Sequence, residues 1–215
     1  MSNAAFFYHE RLHRGAEIMR RVKDLRVAVC GAGALGANLS ENLARQGFAS
    51  LRVIDRDRVE ERNLSTQPYY AGDVGGLKAK MLANSLYRAL GVKVEARVEE
   101  LNEANAPRLL SDMGLVVDTF DNRAARLAVT RFCEAADTPC LHAGLAAGYG
   151  EVIWNENYKV PSAAHDDLCD YPLARNLAML TVAIACETMI RFVATGERRN
   201  FTITLDDCAV QPLVI

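Results

Sequence analysis

The chain has 215 residues, half of them hydrophobic, and a formal net charge of −2. That length fits one domain of ordinary to large size, and the composition is that of a globular protein in water. A near-neutral balance argues against the strongly basic face of a nucleic-acid binder and against a polybasic membrane-binding surface.

Residues 5–22 read as a charged helix with Arg11, Arg14, Arg20 and Arg21 exposed. Strand and helix patterns then alternate. Strands are expected at 26–30, 50–55, 93–98, 114–119 and 139–142, and helices at 35–46, 77–90, 104–111 and 123–136. Apolar, β-branched strands alternating with helices predict a parallel sheet covered on both faces. The last third leaves this rhythm. Strands at 150–154 and 201–205 flank a polar loop, 155–171, and an apolar helix over roughly 173–195 that Gly196 ends. The expected whole is a single α/β domain over 1–215, Rossmann-like, with a mixed, mainly parallel sheet. It has an N-terminal helical segment, 1–24, and a crossover loop, 155–172. The longest apolar run, 177–186, is too short to span a bilayer and leads into Glu187 and Arg191.

Cysteines stand at 30, 133, 140, 169, 186 and 208, with no C-x-x-C pair. No zinc site built from paired cysteines is expected, and the absence of a secretory pattern points to a cytoplasmic protein with free thiols. Cys30, Cys133, Cys140 and Cys186 fall in strand and helix cores. His142 and His165 show no partner in the sequence and read as packed or solvated histidines.

The stretch VAVCGAGALG, 27–36, carries the chemistry. Gly31, Gly33 and Gly36 follow an expected strand and open an expected helix. Gly31 permits a tight turn, Gly33 lets a phosphate approach the backbone, and Gly36 lets the helix pack against the sheet. The helix N-terminus offers free N–H groups and partial positive charge to an anion. Asp55, at the end of the second strand, stands where a ribose-binding carboxylate is usual. To this point the pyrophosphate of NAD and the triphosphate of ATP fit equally well.

Further motifs follow in order: D-x-D at 55–57, N-L-x-x-Q at 63–67, G-x-x-K-A at 75–79 and D-x-x-D-N at 118–122. With the glycine loop, this set resembles the ThiF/MoeB/HesA adenylyltransferases of the ubiquitin-activating-enzyme superfamily, over nearly the whole chain. The resemblance implies ATP at the glycine loop, with Asp55 on the ribose and Asp57 and Asn63 lining the same pocket. Lys78 would reach the phosphates, and Asp121 would hold Mg²⁺ or position the triphosphate. It also implies adenylation of a carboxylate, usually the C-terminal Gly-Gly tail of a small ubiquitin-like or sulfur-carrier protein, by a homodimer. No nucleic-acid or membrane partner is implied. Asp121 has a structural alternative as the N-cap of the helix near Arg123, and Arg126 matches an arginine common in the family that is as readily structural.

The sequence departs from the family at Thr66, where an arginine that contacts the phosphates is usual. Arg62 is near in sequence, and Arg11 matches an arginine that the family supplies across a dimer interface. Cys169 occupies the place of the family's reactive cysteine, before the apolar helix, although Asp166, Asp167 and Asp170 crowd it and disfavour a thiolate. Three competing readings remain at this point: adenylation of a different carboxylate, such as a peptide C-terminus or a modified tRNA base, the latter disfavoured by the near-neutral composition; a degenerate member that binds nucleotide or a partner without chemistry; and an NAD(P)-dependent oxidoreductase. The oxidoreductase reading leaves Lys78 and the 63–67 stretch unexplained.

Overall fold

A computed structural model describes residues 3–161 and 172–213. The N-terminal segment is broken into α1 (Asn3–Phe6), α2 (Tyr8–Arg14) and α3 (Ala16–Asp24). Gly15 causes the main break. Its φ of +84° ends α2 and starts α3, so the single helix expected over 5–22 does not form. Nor is Arg14 exposed as expected. Its side chain is only 10% accessible and pairs with Glu10 at 2.6 Å and Glu187 at 2.8 Å, tying the segment to the body of the domain.

The alternating region follows the expected order: β1 (Arg26–Cys30), α4 (Ala34–Arg45), β2 (Ser50–Ile54), α5 (Lys78–Leu90), β3 (Glu95–Arg97), α6 (Ala106–Leu110), β4 (Leu115–Asp118) and α7 (Arg123–Ala135). Then come β5 (Cys140–Ala146), β6 (Tyr149–Trp154), α8 (Arg175–Thr195), β7 (Asn200–Thr204) and β8 (Ala209–Leu213). The described residues form one sheet in the order β3-β2-β1-β4-β5-β6-β7-β8. Pairing is parallel from β3 through β5 and antiparallel from β5 through β8, the mixed sheet that was expected. Strand β8 was not expected; its exposed AVQPL has neither an apolar run nor clean alternation, and it exists because it pairs with β7.

Alternate strand residues feed two cores. Val27, Val29, Leu51, Val53, Leu115 and Val117 face α4, α5 and α8. Ala28, Cys30, Ile54, Val116 and Cys140 face α6 and α7, through Leu109, Leu110, Ala128, Val129 and Cys133. The four cysteines assigned to cores are indeed buried. Helix α8 returns the chain from β6 to β7 and buries residues such as Leu177, Val182, Ala185, Met189 and Ile190. Gly196 caps it in the left-handed conformation, as anticipated. At 21 residues α8 is long and apolar enough to cross a membrane, so the argument from a short apolar run does not hold. It instead serves as a core helix, with 56% of its most apolar window buried in the domain.

Candidate functional site

The strand order reverses at β1, which lies between β2 and β4. A crevice forms at such a switch point, beyond the carboxyl ends of the strands, and open α/β sheets bind ligands there. Register sets Cys30 beside Ile54 on one side and Asp118 on the other. The glycine loop, Asp55 and the 119–122 loop therefore leave the sheet side by side. Thr119 stitches them together: its N–H and hydroxyl both donate to the Cys30 carbonyl, at 2.9 and 2.8 Å.

The three glycines do different work. Gly31 has φ +103°, and a Cβ there would sit 2.9 Å from the Thr119 hydroxyl oxygen. A Cβ on Gly36 would sit 2.0 Å from the Gly31 carbonyl oxygen. Gly33 has an ordinary φ of −83°, and a Cβ there would meet nothing within 4 Å. Folding thus requires Gly31 and Gly36. Gly33 keeps space open on the outer side, at the N-cap of α4, whose first turn has no side-chain cap and no acidic residue.

The loop is held from both sides. The Ala32 N–H donates to Asp55 Oδ2 at 2.7 Å, and the Ala32 carbonyl accepts from the Tyr69 hydroxyl at 2.8 Å. Asp55 Oδ1 accepts from the Asp57 N–H, also at 2.7 Å. Burial raises the Asp55 carboxyl pKa, against the pull of these N–H groups and of Lys78. Asp55 therefore braces the glycine loop. Burial likewise pushes the Tyr69 hydroxyl up. Tyr69 was missed in the sequence because a lone aromatic between motifs carries no pattern.

Lys78 begins α5 with its side chain 11% accessible, its Nζ 3.6 Å from Asp57 Oδ2 and its N–H on the Asp57 carbonyl at 2.8 Å. Asn63 caps a 3-10 turn by accepting from the Glu60 N–H at 2.9 Å. Thr66 is half-buried, and its carbonyl accepts from the Asn38 side chain at 2.8 Å. Arg62 pairs with Glu60 at 2.6 Å. Buried Gln67 leaves its Oε1 without a hydrogen-bond partner among the described residues.

Asp121 is exposed and has no hydrogen-bond or ion-pair partner among the described residues. It is not the cap of α7. Asn122 takes that place, its Oδ1 accepting from the Ala125 N–H at 2.9 Å, because the extended backbone at Asn122 aims its side chain over the first turn. Beneath the 119–122 loop lies a buried polar network that sequence reading did not foresee. Arg126 donates to the Phe120 carbonyl at 2.5 Å and to the Tyr158 hydroxyl, and stands 3.8 Å from Asp118. His142 has partners after all: Asp118 at 2.9 Å, Asn155 at 2.6 Å, and a stacked Tyr158 ring at 3.8 Å. Burial alone would raise the Asp118 carboxyl, but Arg126 and His142 hold it below the usual carboxylate range.

Seven of the expected site residues thus gather at one edge: Gly31, Gly33, Gly36, Asp55, Asp57, Lys78 and Asp121. Asn63 sits in the adjoining turn. Arg11 does not join them; it is exposed on α2 and no hydrogen bond or ion pair links it to the cluster. Cys169, with its neighbouring aspartates and His165, lies outside the described residues. An ATP phosphate chain fits the open Gly33 side, the uncapped α4 terminus and Lys78. The described residues hold no cluster of three or more metal-ligating side chains. The free carboxylate of Asp121 would suit Mg²⁺, which is commonly held by one or two carboxylates together with nucleotide phosphates.

Comparison with known proteins agrees with this geometry. The Bacillus subtilis sulfur carrier protein ThiS adenylyltransferase is 32% identical over 142 residues, covering 63% of this chain and 42% of that protein. A Thermus thermophilus sulfur carrier protein adenylyltransferase is 38% identical over 130 residues, covering 56% and 48%. The chain therefore spans less than half the length of these two relatives. In structure, E. coli MccB with AMPCPP and MccA superposes with a TM-score of 0.82 at 17% identity, covering 99% of this chain and 72% of MccB. TcdA does so at 0.78 and 16%, covering 90% and 95%. These two likenesses establish the fold. Residues 9–195 match the ThiF family model, and with the ordered motifs gathered at one switch point, the chain belongs to the ThiF family.

Proposed function

We propose that this chain adenylates a carboxylate at the expense of ATP, and that the carboxylate is the C-terminal Gly-Gly of a small ubiquitin-like or sulfur-carrier protein. One arrangement supports the reading: Gly33 with its open side follows β1, Asp57 with Lys78 follows β2, and Asp121 follows β4, at neighbouring carboxyl ends of the sheet. A carboxylate oxygen attacks the α-phosphorus, an O–P bond forms, and the bond to the bridging oxygen breaks, so that pyrophosphate leaves with the electron pair. Two anions must meet, and the chain offsets their repulsion with the Lys78 ammonium and the N–H groups opening α4. Mg²⁺ at Asp121 would screen the phosphates. Asp55 and Tyr69 keep the loop in the shape these contacts need. The thiolate of Cys169 or of an outside sulfur donor then attacks the acyl carbon, and AMP leaves with the electrons of the acyl–oxygen bond.

Thr66 favours a second reading, a member that holds nucleotide without chemistry, because it brings no charge where the family has an arginine and the nearby Arg62 is engaged by Glu60. ATP–pyrophosphate exchange with candidate carrier proteins separates the two. Exchange that requires the carrier supports adenylation. Mg-ATP binding with no exchange for any carrier supports the second reading, and tight NADH binding without ATP binding sinks both. We further propose a cytoplasmic homodimer in which Arg11 of one subunit serves the other's site. Phe6, Tyr8 and Leu12 support this, being 52%, 56% and 68% exposed around Arg11 on the N-terminal helices.

A further inference from the structure

The carboxylate of Asp121 stands on a loop, and the anchors of that loop decide where it points. Thr119 fixes one end through its N–H and hydroxyl, both on the Cys30 carbonyl. Asn122 fixes the other end by capping α7. Between them, the Phe120 N–H donates to Asp118 Oδ1 at 3.1 Å, and the Phe120 carbonyl accepts from Arg126 Nε at 2.5 Å. Asp121 has no partner of its own among the described residues, so the backbone on either side sets its position.

Arg126 is therefore the strut of this loop, and it works only while its guanidinium is aimed at Phe120. Two of its other contacts aim it weakly. Asp118 Oδ2 is 3.8 Å from Nη1, and the Ala143 carbonyl is 3.4 Å from Nη2, at the long end of the hydrogen-bond range. The Tyr158 hydroxyl, by contrast, accepts from Nη1 directly. A planar fork hydrogen-bonded at both Nε and Nη1 has little freedom left to rotate.

Other elements hold Tyr158 in place. It follows the 3-10 turn Asn155–Asn157 after β6, and its N–H donates to the Asn155 carbonyl at 3.2 Å. Its ring stacks on His142 of β5, with centroids 3.8 Å apart and planes 10° from parallel. His142 is itself gripped by Asp118 at 2.9 Å and Asn155 at 2.6 Å, and the Asn155 amide donates to the Thr130 carbonyl of α7 at 3.4 Å. Tyr158 is buried, and burial pushes its hydroxyl pKa up to about 12. The group thus stays a neutral phenol near pH 7 and orients Arg126 without placing a second anion beside Asp118.

We propose that Tyr158 is a positioning residue for the nucleotide site: through Arg126 and the Phe120 carbonyl it sets the loop from which Asp121 meets the nucleotide. The proposal rests on the adenylation reading for what Asp121 does there, but not for how the loop is held. Without the hydroxyl, the guanidinium swings toward the charge of Asp118, Nε leaves the Phe120 carbonyl, and the loop loses its strut.

Tyr158→Phe tests this, because it keeps the stacked ring and removes only the hydroxyl. In the protein without ligand, amide hydrogen exchange should run about tenfold faster in peptides spanning 119–122 and stay unchanged in β1 and β2. Mg-ATP binding by calorimetry should weaken about fivefold. Adding Tyr158→Phe to Asp121→Ala should weaken it no further, because a residue that acts through Asp121 has nothing left to position. Unchanged exchange in 119–122 would overturn the proposal. So would a binding penalty that persists in the Asp121→Ala background, or faster exchange spread over the whole sheet, since both mark a merely structural residue. Pyrophosphate exchange keeps the two ideas apart. Wild-type protein that binds Mg-ATP without exchange for any carrier sinks adenylation and leaves the loop measurements to decide on Tyr158. Wild-type kcat and KM for ATP in an exchange-competent Tyr158→Phe variant sink the role of Tyr158 alone.

Discussion

Gly33 and Gly36 lie three residues apart, and a methyl group at each meets opposite surroundings. At Gly36 it would collide with the Gly31 carbonyl at 2.0 Å, and at Gly33 it would enter open space. Gly36→Ala should therefore lower the melting temperature by several degrees, whereas Gly33→Ala should leave it within about 2 °C and weaken Mg-ATP binding at least tenfold by calorimetry. Equal effects of the two variants on nucleotide binding at unchanged stability would contradict this division. Lys78→Ala removes the cation nearest the cluster and should lower kcat/KM for pyrophosphate exchange by an amount equivalent to about 2–4 kcal/mol. Unchanged turnover would make Lys78 only the partner of Asp57. At this scale the sequence was informative wherever a motif fixed spacing, as for the glycines and Lys78. It was silent on Tyr69 and on the division of labour among the glycines, because these depend on atoms brought in from 37 and 83 residues away.

Strand and helix ends hold the next decisions. Asp118 ends β4 fully buried between Arg126 of α7 and His142 of β5, so three elements meet on one carboxylate. Asp118→Asn leaves Arg126 short of its counter-charge and should cost about 3 kcal/mol at pH 7, measured by urea denaturation. The carboxyl pKa is lower folded than unfolded, so its contribution is present above the unfolded value of about 3.9 and is lost as pH falls through the lower folded one. The variant and the wild type should then converge in stability below about pH 4. A constant gap from pH 7 to pH 3 would show that shape, not charge, sets the effect. From sequence, the expected strand end at Thr119 and the D-x-x-D-N motif marked this corner correctly. Which aspartate faced solvent and which was buried followed from the partners on α7 and β5, and the cap went to Asn122 because its backbone is extended.

In the whole molecule, the N-terminal helices remain incompletely covered. Phe6, Tyr8 and Leu12 are each more than half exposed, while Arg14 anchors the segment to Glu187 of α8. If these side chains pack against a second copy and carry Arg11 to its site, light scattering should report a dimer. Arg11→Ala and Asp121→Ala subunits, each inactive alone, should then regain roughly a quarter to half of wild-type exchange when mixed, because a hybrid dimer keeps one complete site. An active monomer, or mixing without any recovery, would rule this out.

The order of strands and helices along the chain, a core on both faces of the sheet and the place of the glycine loop between a strand and a helix were determined by the sequence itself. They follow from local periodicity and from glycines whose φ angles or close contacts admit no side chain. Tertiary structure alone decided the rest. It broke the first helix at Gly15, added β8 as an edge strand, buried α8 in the core and built the Asp118–Arg126–His142 network. These outcomes rest on long-range pairing and on burial. A carboxylate's charge, a strand's partner and a helix's surroundings are set by residues far along the chain, which local pattern does not encode.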